Sequence, residues 1–129
     1  MRALSIRQPY AELILRGIKT VEYRSQPTRI IGERFHIYAS KGKVSPPIVS
    51  DNLEAARPPG WMLEIAEQLK LIGPETELPA GVIVGSAVIE RVSEIDGMYR
   101  WHLSGVERAK TLRKPKGHPQ PVWFLPFSE

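Results

Sequence analysis

Cysteine is absent from this sequence of 129 residues, and so is any long run of apolar residues. Without cysteine the chain can form no disulfide, hold no metal through thiolates and attack no substrate with a thiol. The apolar stretches fall well short of the roughly 20 residues that a transmembrane helix needs. The N-terminal residues show a strand pattern instead of the basic and apolar segments of a signal peptide. We therefore expect a cytoplasmic protein without a membrane anchor.

Patterns that hold cofactors or carry out nucleophilic catalysis are also missing. The three histidines, His36, His102 and His118, lack the spacing of metal ligands. The sequence has no glycine loop that would cradle a phosphate and no Ser/His/Asp order typical of a hydrolase. We therefore expect neither a metal nor an organic cofactor.

What the sequence does have is an uneven distribution of charge around a net charge of +4. Residues 1–43 contain nine basic and three acidic side chains, and residues 101–129 contain five basic and two acidic ones. The residues between them contain four basic and nine acidic side chains. If the fold brings the two basic ends together, they form one positive face that favours a polyanion. The alternative is a solvated surface whose charge is merely uneven.

The chain length suits a single domain, residues 1–129, with a core of its own. Apolar alternation, helical spacing and breaker residues predict the following elements in chain order: a strand at 4–7, a helix at 10–16, strands at 18–24 and 33–40, helices at 45–56 and 61–71, a long strand at 81–92, an irregular segment at 93–105, a short helical turn at 106–112, a basic loop at 114–121 and a final strand at 122–125. Gly85, inside the long strand, indicates a bulge or a close approach of another backbone. Because the helices are few and grouped, we predict an α+β fold: a mixed β-barrel with a few short helices packed around its openings.

Two neighbouring motifs near the N-terminus give the most specific signal. Gly17, Lys19, Glu22 and Arg24 form the pattern G-x-K-x-x-E-x-R, and residues 4–11 are L-S-I-R-Q-P-Y-A. Together they resemble the signature of the ASCH domain, which is named for its homology to activating signal cointegrator 1. The resemblance covers nearly the whole chain. It implies a PUA-like β-barrel with a cleft beside the motif, and RNA or another nucleic acid as the partner.

The same resemblance implies an enzymatic alternative. Some small bacterial relatives resemble hydrolases of acylated cytidine, and others have been interpreted as ribonucleases. In the amidohydrolase-like relatives a threonine that looks like the nucleophile follows the lysine by three positions, whereas this sequence has Glu22 there. Hydrolysis would need another arrangement, such as Lys19 with Glu22 as the general base for a water nucleophile. The sequence leaves open whether the chain is an enzyme.

The candidate site is described by the chemistry of its side chains. A lysine suits a phosphate oxygen, an arginine binds phosphate bidentately, and a glutamate paired with the arginine accepts hydrogen bonds from a base edge. We call Lys19, Glu22 and Arg24 the motif cluster; a structural ion pair between its carboxylate and its arginine is the alternative to a ligand site. The candidate nucleic-acid-binding residues are Ser5, Arg7, Gln8, Tyr10, Lys19, Glu22, Arg24, Ser40, Lys41, Lys114 and Lys116, and Lys19 and Glu22 are the catalytic candidates if the chain is an enzyme.

We predict that these residues converge on one cleft. The helix between the first two strands is so short that it holds them close together. The motif cluster and residues 5–8 would line the cleft, with Ser40 or Lys41 on its wall and the loop 114–121 at its rim. We expect the ligand to be RNA, another nucleic acid or a nucleoside-like small molecule, and we expect the protein to be a monomer.

Overall fold

The computed structural model describes residues 1–41, 60–71 and 78–127. The elements in this part of the chain are β1 (Ala3–Arg7), α1 (Tyr10–Leu15), β2 (Val21–Arg24), β3 (Arg34–Ser40), α2 (Gly60–Gln68), β4 (Val82–Ile95), β5 (Met98–Arg113) and β6 (Trp123–Phe124). The helix predicted at 45–56 lies outside the described residues. Neither of the two described helices is long and apolar enough to cross a membrane.

The six strands in the described part of the chain belong to one mixed sheet, in the order β2-β5-β4-β3-β1-β6. β1 and β3 are parallel, and the other neighbouring strands are antiparallel. Because β1 lies between β3 and β6, the first strand of the chain is hydrogen-bonded to the last. Arg7 at the end of β1 lies opposite Ser40 at the end of β3. The topology therefore brings the two basic ends of the sequence beside each other.

The sheet is not closed into the barrel that the sequence predicts. Among the described residues, β2 and β6 are the edge strands, with no backbone ladder between them. β6 has only two residues, and Pro121 and Pro126 on either side of it lack the N–H group that a longer ladder would need. The sheet nevertheless curls strongly enough to bring β2 close to β1. Arg24 of β2 donates a hydrogen bond across the gap between these strands to the carbonyl oxygen of Ser5, at 2.8 Å.

The largest difference from the predicted elements is β5, a strand of 16 residues. The irregular segment predicted at 93–105 and the helical turn predicted at 106–112 are both wrong. β4 and β5 form a hairpin around Asp96 and Gly97, whose φ angles are 50° and 78°. Asp-Gly between two strand-like runs is a strong hairpin signal, because both central positions of a type I′ turn have positive φ.

The main core lies inside the curl of the sheet, covered by α1. It contains Leu4 and Ile6 of β1, and Ile14 of α1, all of them buried. Trp101 of β5 is also buried there, and its ring stacks on that of Trp123, with centroids 5.9 Å apart. A separate apolar cluster joins α1 to α2. The buried faces of β1 and α1 thus fix the position of the loop between α1 and β2, which carries the motif.

Candidate functional site

The motif cluster begins where α1 ends. The chain turns through Gly17, whose φ of 76° is one that glycine adopts without strain. The N–H groups of Ile18 and Lys19 both donate to the carbonyl oxygen of Leu13, at 3.0 and 3.1 Å. These bonds satisfy a carbonyl at the end of the helix and fold the next residues back, so that Lys19 lies close to β2.

Lys19 is completely buried, with 0% of its side chain exposed. Its ammonium group donates to the carbonyl oxygen of Val21 and forms an ion pair with Glu22, with Nζ and Oε1 2.9 Å apart. The rings of Tyr10 and Tyr23 lie beside the same nitrogen, with centroids 5.9 and 5.0 Å away. A buried ammonium group is costly unless it is paired and hydrogen-bonded, and these contacts meet both conditions.

Glu22 is the centre of the cluster. Its Oε2 accepts hydrogen bonds from Nη2 of Arg24 at 2.5 Å and from Nε at 3.1 Å, while Oε1 faces Lys19. The exposed fraction is 7% for the Glu22 side chain and 19% for the Arg24 side chain. The guanidinium group of Arg24 also lies 5.6 Å from the ring centroid of Trp101. The structure therefore brings the motif residues together as an ion network that is largely shielded from solvent.

Burial and charge act in opposite directions on the pKa values of this network. Burial lowers the pKa of the Lys19 amine, and the negative charge of Glu22 opposes that decrease. Burial alone would raise the pKa of the Glu22 carboxyl, but Lys19 and Arg24 together outweigh it, so this pKa lies below its ordinary value. Glu22 is therefore held as a carboxylate between two cations.

We predict that the free energy of unfolding falls as the pH drops below about 4.5, the ordinary pKa of a glutamate. Because the folded-state pKa of Glu22 is lowered, its contribution is complete above the unfolded pKa and is lost as the pH falls through the folded one. Glu22→Gln should flatten this loss when urea unfolding is measured across the acid range. Glu90→Gln, at an exposed position of β4, is the control, and equal acid profiles for the two variants would contradict the prediction.

Hydrogen bonds connect the motif cluster to the basic loop at residues 114–121. Arg24 donates to the carbonyl oxygen of Ser5 at 2.8 Å, and the hydroxyl group of Ser5 donates to the carbonyl oxygen of Gln120 at 2.5 Å. The N–H group of Ser5 also donates to the carbonyl oxygen of Val122. Ser5 is thus the point at which the motif, β1 and the C-terminal segment meet.

Three lysines of the candidate site surround a cavity of about 490 Å³. We call this the basic cavity, and its lysines are Lys41, Lys114 and Lys116. All three are exposed, and no acidic side chain is among the described residues that line the cavity. Gly81 has a φ of 76°, and a Cβ atom there would lie 2.5 Å from Cε of Lys41, so the glycine leaves room for this side chain. The fold therefore brings together a lysine after β3 and two lysines after β5.

Gln8 has contacts that give it a structural role. Its Oε1 accepts a hydrogen bond from the N–H group of Glu12 at 2.9 Å, which satisfies a donor in the first turn of α1. Its Nε2 donates to the carbonyl oxygen of Pro79 at 3.0 Å. The side chain thus ties the start of α1 to the segment that precedes β4.

We predict that Gln8→Ala lowers the free energy of unfolding by about 1–2 kcal/mol, because a helix N–H group loses its acceptor. Urea unfolding of the variant measures this difference. Gln68→Ala, at an exposed position at the end of α2, is the matched control and should change stability by less than about 0.5 kcal/mol. Equal stabilities of the two variants would show that the Gln8 contacts contribute little.

The remaining candidates lie at different distances from the cluster. Tyr10, expected at a rim, is half-buried and contacts the Lys19 amine as described above. Arg7 is exposed and Ser40 is half-buried, and the two are opposite each other at the ends of β1 and β3. Since Lys41 follows Ser40 directly, these strand ends border the basic cavity.

Sequence reasoning missed an ion pair between α1 and β5. Glu12 is buried, and its two carboxylate oxygens accept hydrogen bonds from Nη1 and Nη2 of Arg108, both at 2.9 Å. Arg16 binds the same carboxylate at 2.7 Å. The hydrogen bonds from Arg108 lower the pKa of Glu12 despite its burial. Glu12 is the one acidic residue in the apolar pattern of α1, and this position indicated a buried, paired carboxylate. Its partner could not be identified, because Arg108 lies on β5, which was not predicted as a strand.

Comparison with known proteins shows the family to which the chain belongs. The family model of the ASCH domain matches residues 4–116, and the chain belongs to this family. The fold is similar to that of the solved structure "Crystal structure of ASCH from Zymomonas mobilis", with a TM-score of 0.58 and 13% sequence identity. That match covers 96% of this chain and 85% of the other. At this identity the likeness concerns the fold alone, which is the α+β, PUA-like fold of ASCH domains.

None of the curated proteins matches the chain. Within residues 1–41, 60–71 and 78–127, no group of three or more His, Asp or Glu side chains is placed to hold a metal ion.

Proposed function

We propose that the chain is an RNA-binding module in which the lysines of the basic cavity contact phosphates and the motif cluster holds the cavity in position. One observation carries this proposal: hydrogen bonds run from Glu22 through Arg24 and Ser5 to Gln120, in the loop that bears two of the lysines. Membership of the ASCH family supports a nucleic acid as the class of partner.

The charge and size of the basic cavity support a single-stranded ligand. Lysine ammonium groups bind phosphate oxygens, and no carboxylate among the described lining residues offsets them. A cavity of about 490 Å³ has the size of a small-molecule pocket, so it admits an unpaired nucleotide but not a duplex. Proteins that read RNA sequence mostly bind such unpaired segments.

The proposal is tested by measuring the affinity for a labelled single-stranded RNA at increasing salt concentration. Three phosphate contacts predict that the logarithm of the association constant falls with the logarithm of the salt concentration, with a slope of about −2 or steeper. A structured RNA hairpin of the same length should bind more weakly. The absence of RNA binding at low salt would contradict the proposal.

The hydrolase alternative has less support from the motif cluster. A general base must be reachable by the substrate and have a pKa near the working pH, whereas the Glu22 side chain is only 7% exposed, both of its oxygens face cations and its pKa is lowered. Burial lowers the pKa of the Lys19 amine, but this group is completely buried and already contacts Val21 and Glu22, so it is not exposed to a substrate either. Incubation with acylated cytidine and with labelled RNA, using Lys19→Ala as the control, separates the two functions: turnover that is lost in a control still folded by circular dichroism would favour the enzyme.

A further inference from the structure

A second cavity lies in the hairpin, where β5 is longer than β4. Ile83 pairs with Arg113 and Gly85 pairs with Arg108, so two steps along β4 correspond to five steps along β5. The three extra residues make the segment 109–112 arch away from β4. Beside this arch is a cavity of about 570 Å³, which we call the hairpin cavity.

Gly85 is required at the base of this irregular region. A Cβ atom there would lie 2.4 Å from the carbonyl oxygen of Glu107 and 2.6 Å from Cδ2 of Leu15. The close approach that the sequence predicts at this glycine is therefore present. It lets β5 lie directly against β4 where Gly85 pairs with Arg108, so the three extra residues lie between Arg108 and Arg113.

The hairpin cavity is lined by four cations: Arg34, Arg108, Lys110 and Arg113. Glu107 is the only acidic side chain among its described lining residues. Arg108 is paired with Glu12, and Nη1 of Arg34 lies 4.0 Å from Oε2 of Glu107. Lys110 and Arg113 therefore supply the excess positive charge, which favours an anionic ligand.

The three guanidinium groups are held in place by the protein. Nη1 of Arg34 donates to the hydroxyl group of Ser86 at 2.9 Å and to the carbonyl oxygen of Gly105 at 2.8 Å. The guanidinium group of Arg113 lies 4.4 Å from the ring centroid of Phe127, and Arg108 is fixed by the carboxylate of Glu12. A ligand that binds here loses little side-chain entropy, because these cations are already positioned.

Arg34 has N–H groups that none of its described hydrogen bonds uses. Its described hydrogen bonds use only Nη1, so the N–H groups on Nε and Nη2 remain for a ligand. Lys110 is exposed and makes no ion pair within the described residues. The planar fork of an arginine beside the point charge of a lysine is suited to the oxygens of a phosphate group.

The hairpin cavity and the basic cavity lie on the same face of the sheet. His36 lines the first and Tyr38 the second, and both point away from the main core. The ring of Phe127 packs against the cluster that contains Tyr38 and also contacts His36. Arg113 of one cavity is followed directly by Lys114 of the other. The two sets of cations are thus continuous.

We infer that the hairpin cavity is a second phosphate-binding site and that an RNA strand bound in the basic cavity continues into it. The ligand chemistry is a chain of phosphate groups, either free polyphosphate or the backbone of single-stranded RNA. The continuation of the strand rests on the proposed function, whereas the phosphate site does not.

The experiment uses inorganic tripolyphosphate to probe the phosphate site. It uses single-stranded RNA to probe whether bound RNA continues from the basic cavity into the hairpin cavity. Tripolyphosphate should shift the backbone amide signals of residues 107–113 in the NMR spectrum. Lys110→Gln combined with Arg113→Gln should weaken its binding by about a hundredfold, because each of the two charged hydrogen bonds contributes about tenfold. Lys110→Glu, an exposed single substitution, serves as a second variant that should weaken binding without touching the contact with Phe127.

Arg29→Gln combined with Arg91→Gln is the matched control, since both residues are exposed, lie outside both cavities and together remove the same number of positive charges. For RNA, the double variant should reduce the slope of affinity against salt by about 1.4, the value for two lost phosphate contacts, and the control should not. Unshifted amides with tripolyphosphate, or equal affinities of the variants and the control, would overturn the phosphate site. Loss of tripolyphosphate binding in the variants of a protein that binds no RNA would support the site and reject the proposed function.

Discussion

Lys19→Met is expected to lower the free energy of unfolding by about 3–5 kcal/mol, because it leaves the buried carboxylate of Glu22 with one cation instead of two. The ammonium group is fully buried and lies 2.9 Å from that carboxylate. Natural domains are stable by only about 5–15 kcal/mol, so this loss is a large fraction of the total. Urea unfolding at neutral pH measures it directly.

Two variants separate loss of the ion network from loss of packing. Lys19→Met combined with Glu22→Gln leaves no buried carboxylate, and the partly exposed Arg24 keeps its hydrogen bond to Ser5, so the double variant should be more stable than Lys19→Met alone. Lys110→Met, the same substitution at an exposed lysine of β5, should change stability by less than about 0.5 kcal/mol. If the double variant is as unstable as Lys19→Met, then the loss comes from packing and the ion network is not its cause.

Removing the three lysines of the basic cavity should weaken RNA binding by about a hundredfold at 0.1 M salt. Each phosphate contact with a single strand contributes about 0.7 to the slope of affinity against salt, so the slope should decrease by about 2. The variant is Lys41→Gln with Lys114→Gln and Lys116→Gln. All three positions are exposed, so unfolding should not be affected.

The matched control removes the same number of positive charges elsewhere. Arg29, Lys70 and Arg91 are exposed and outside both cavities, and their replacement by glutamine changes the net charge equally. If binding depended only on the net charge of the protein, the two triple variants would have the same affinity. That result would remove the basic cavity from the proposal.

The motif cluster could be predicted from the sequence because its contacts are local. Glu22 and Arg24 are two residues apart on a strand and therefore share a face, and Gly17 marks the turn that brings Lys19 beside them. The burial of Lys19 could not be predicted in this way. It depends on the aromatic rings of Tyr10 and Tyr23, and on how closely α1 approaches β2.

The contacts of β5 depend on pairings across long distances in the sequence. The bond from Arg108 to Glu12 joins residues that are 96 positions apart. It follows from the register of a hairpin with three extra residues in one strand, and local periodicity carries no information about such a shift. The hairpin itself was recoverable, since Asp96 and Gly97 stand between two strand-like runs.

Whether the sheet closes into a barrel could not be predicted from the sequence. The family resemblance implies a barrel, and the sheet curls as a barrel does, so the class of fold was predicted correctly while its closure was not. Closure depends on whether edge strands are long enough to pair. β6 is limited to two residues by the prolines around it, and a side-chain hydrogen bond from Arg24 spans the gap instead of a backbone ladder.

The central claim is that the motif cluster and the basic cavity form one RNA-binding unit. NMR mapping of the labelled protein with a short single-stranded RNA tests it most directly. We expect the amide signals of Lys114, Lys116, Gly117, His118, Gln120 and Lys41 to shift together with those of Ser5 and Arg24, because hydrogen bonds connect the motif cluster to this loop. Shifts confined to other parts of the chain, or an unchanged spectrum at saturating RNA, would contradict it.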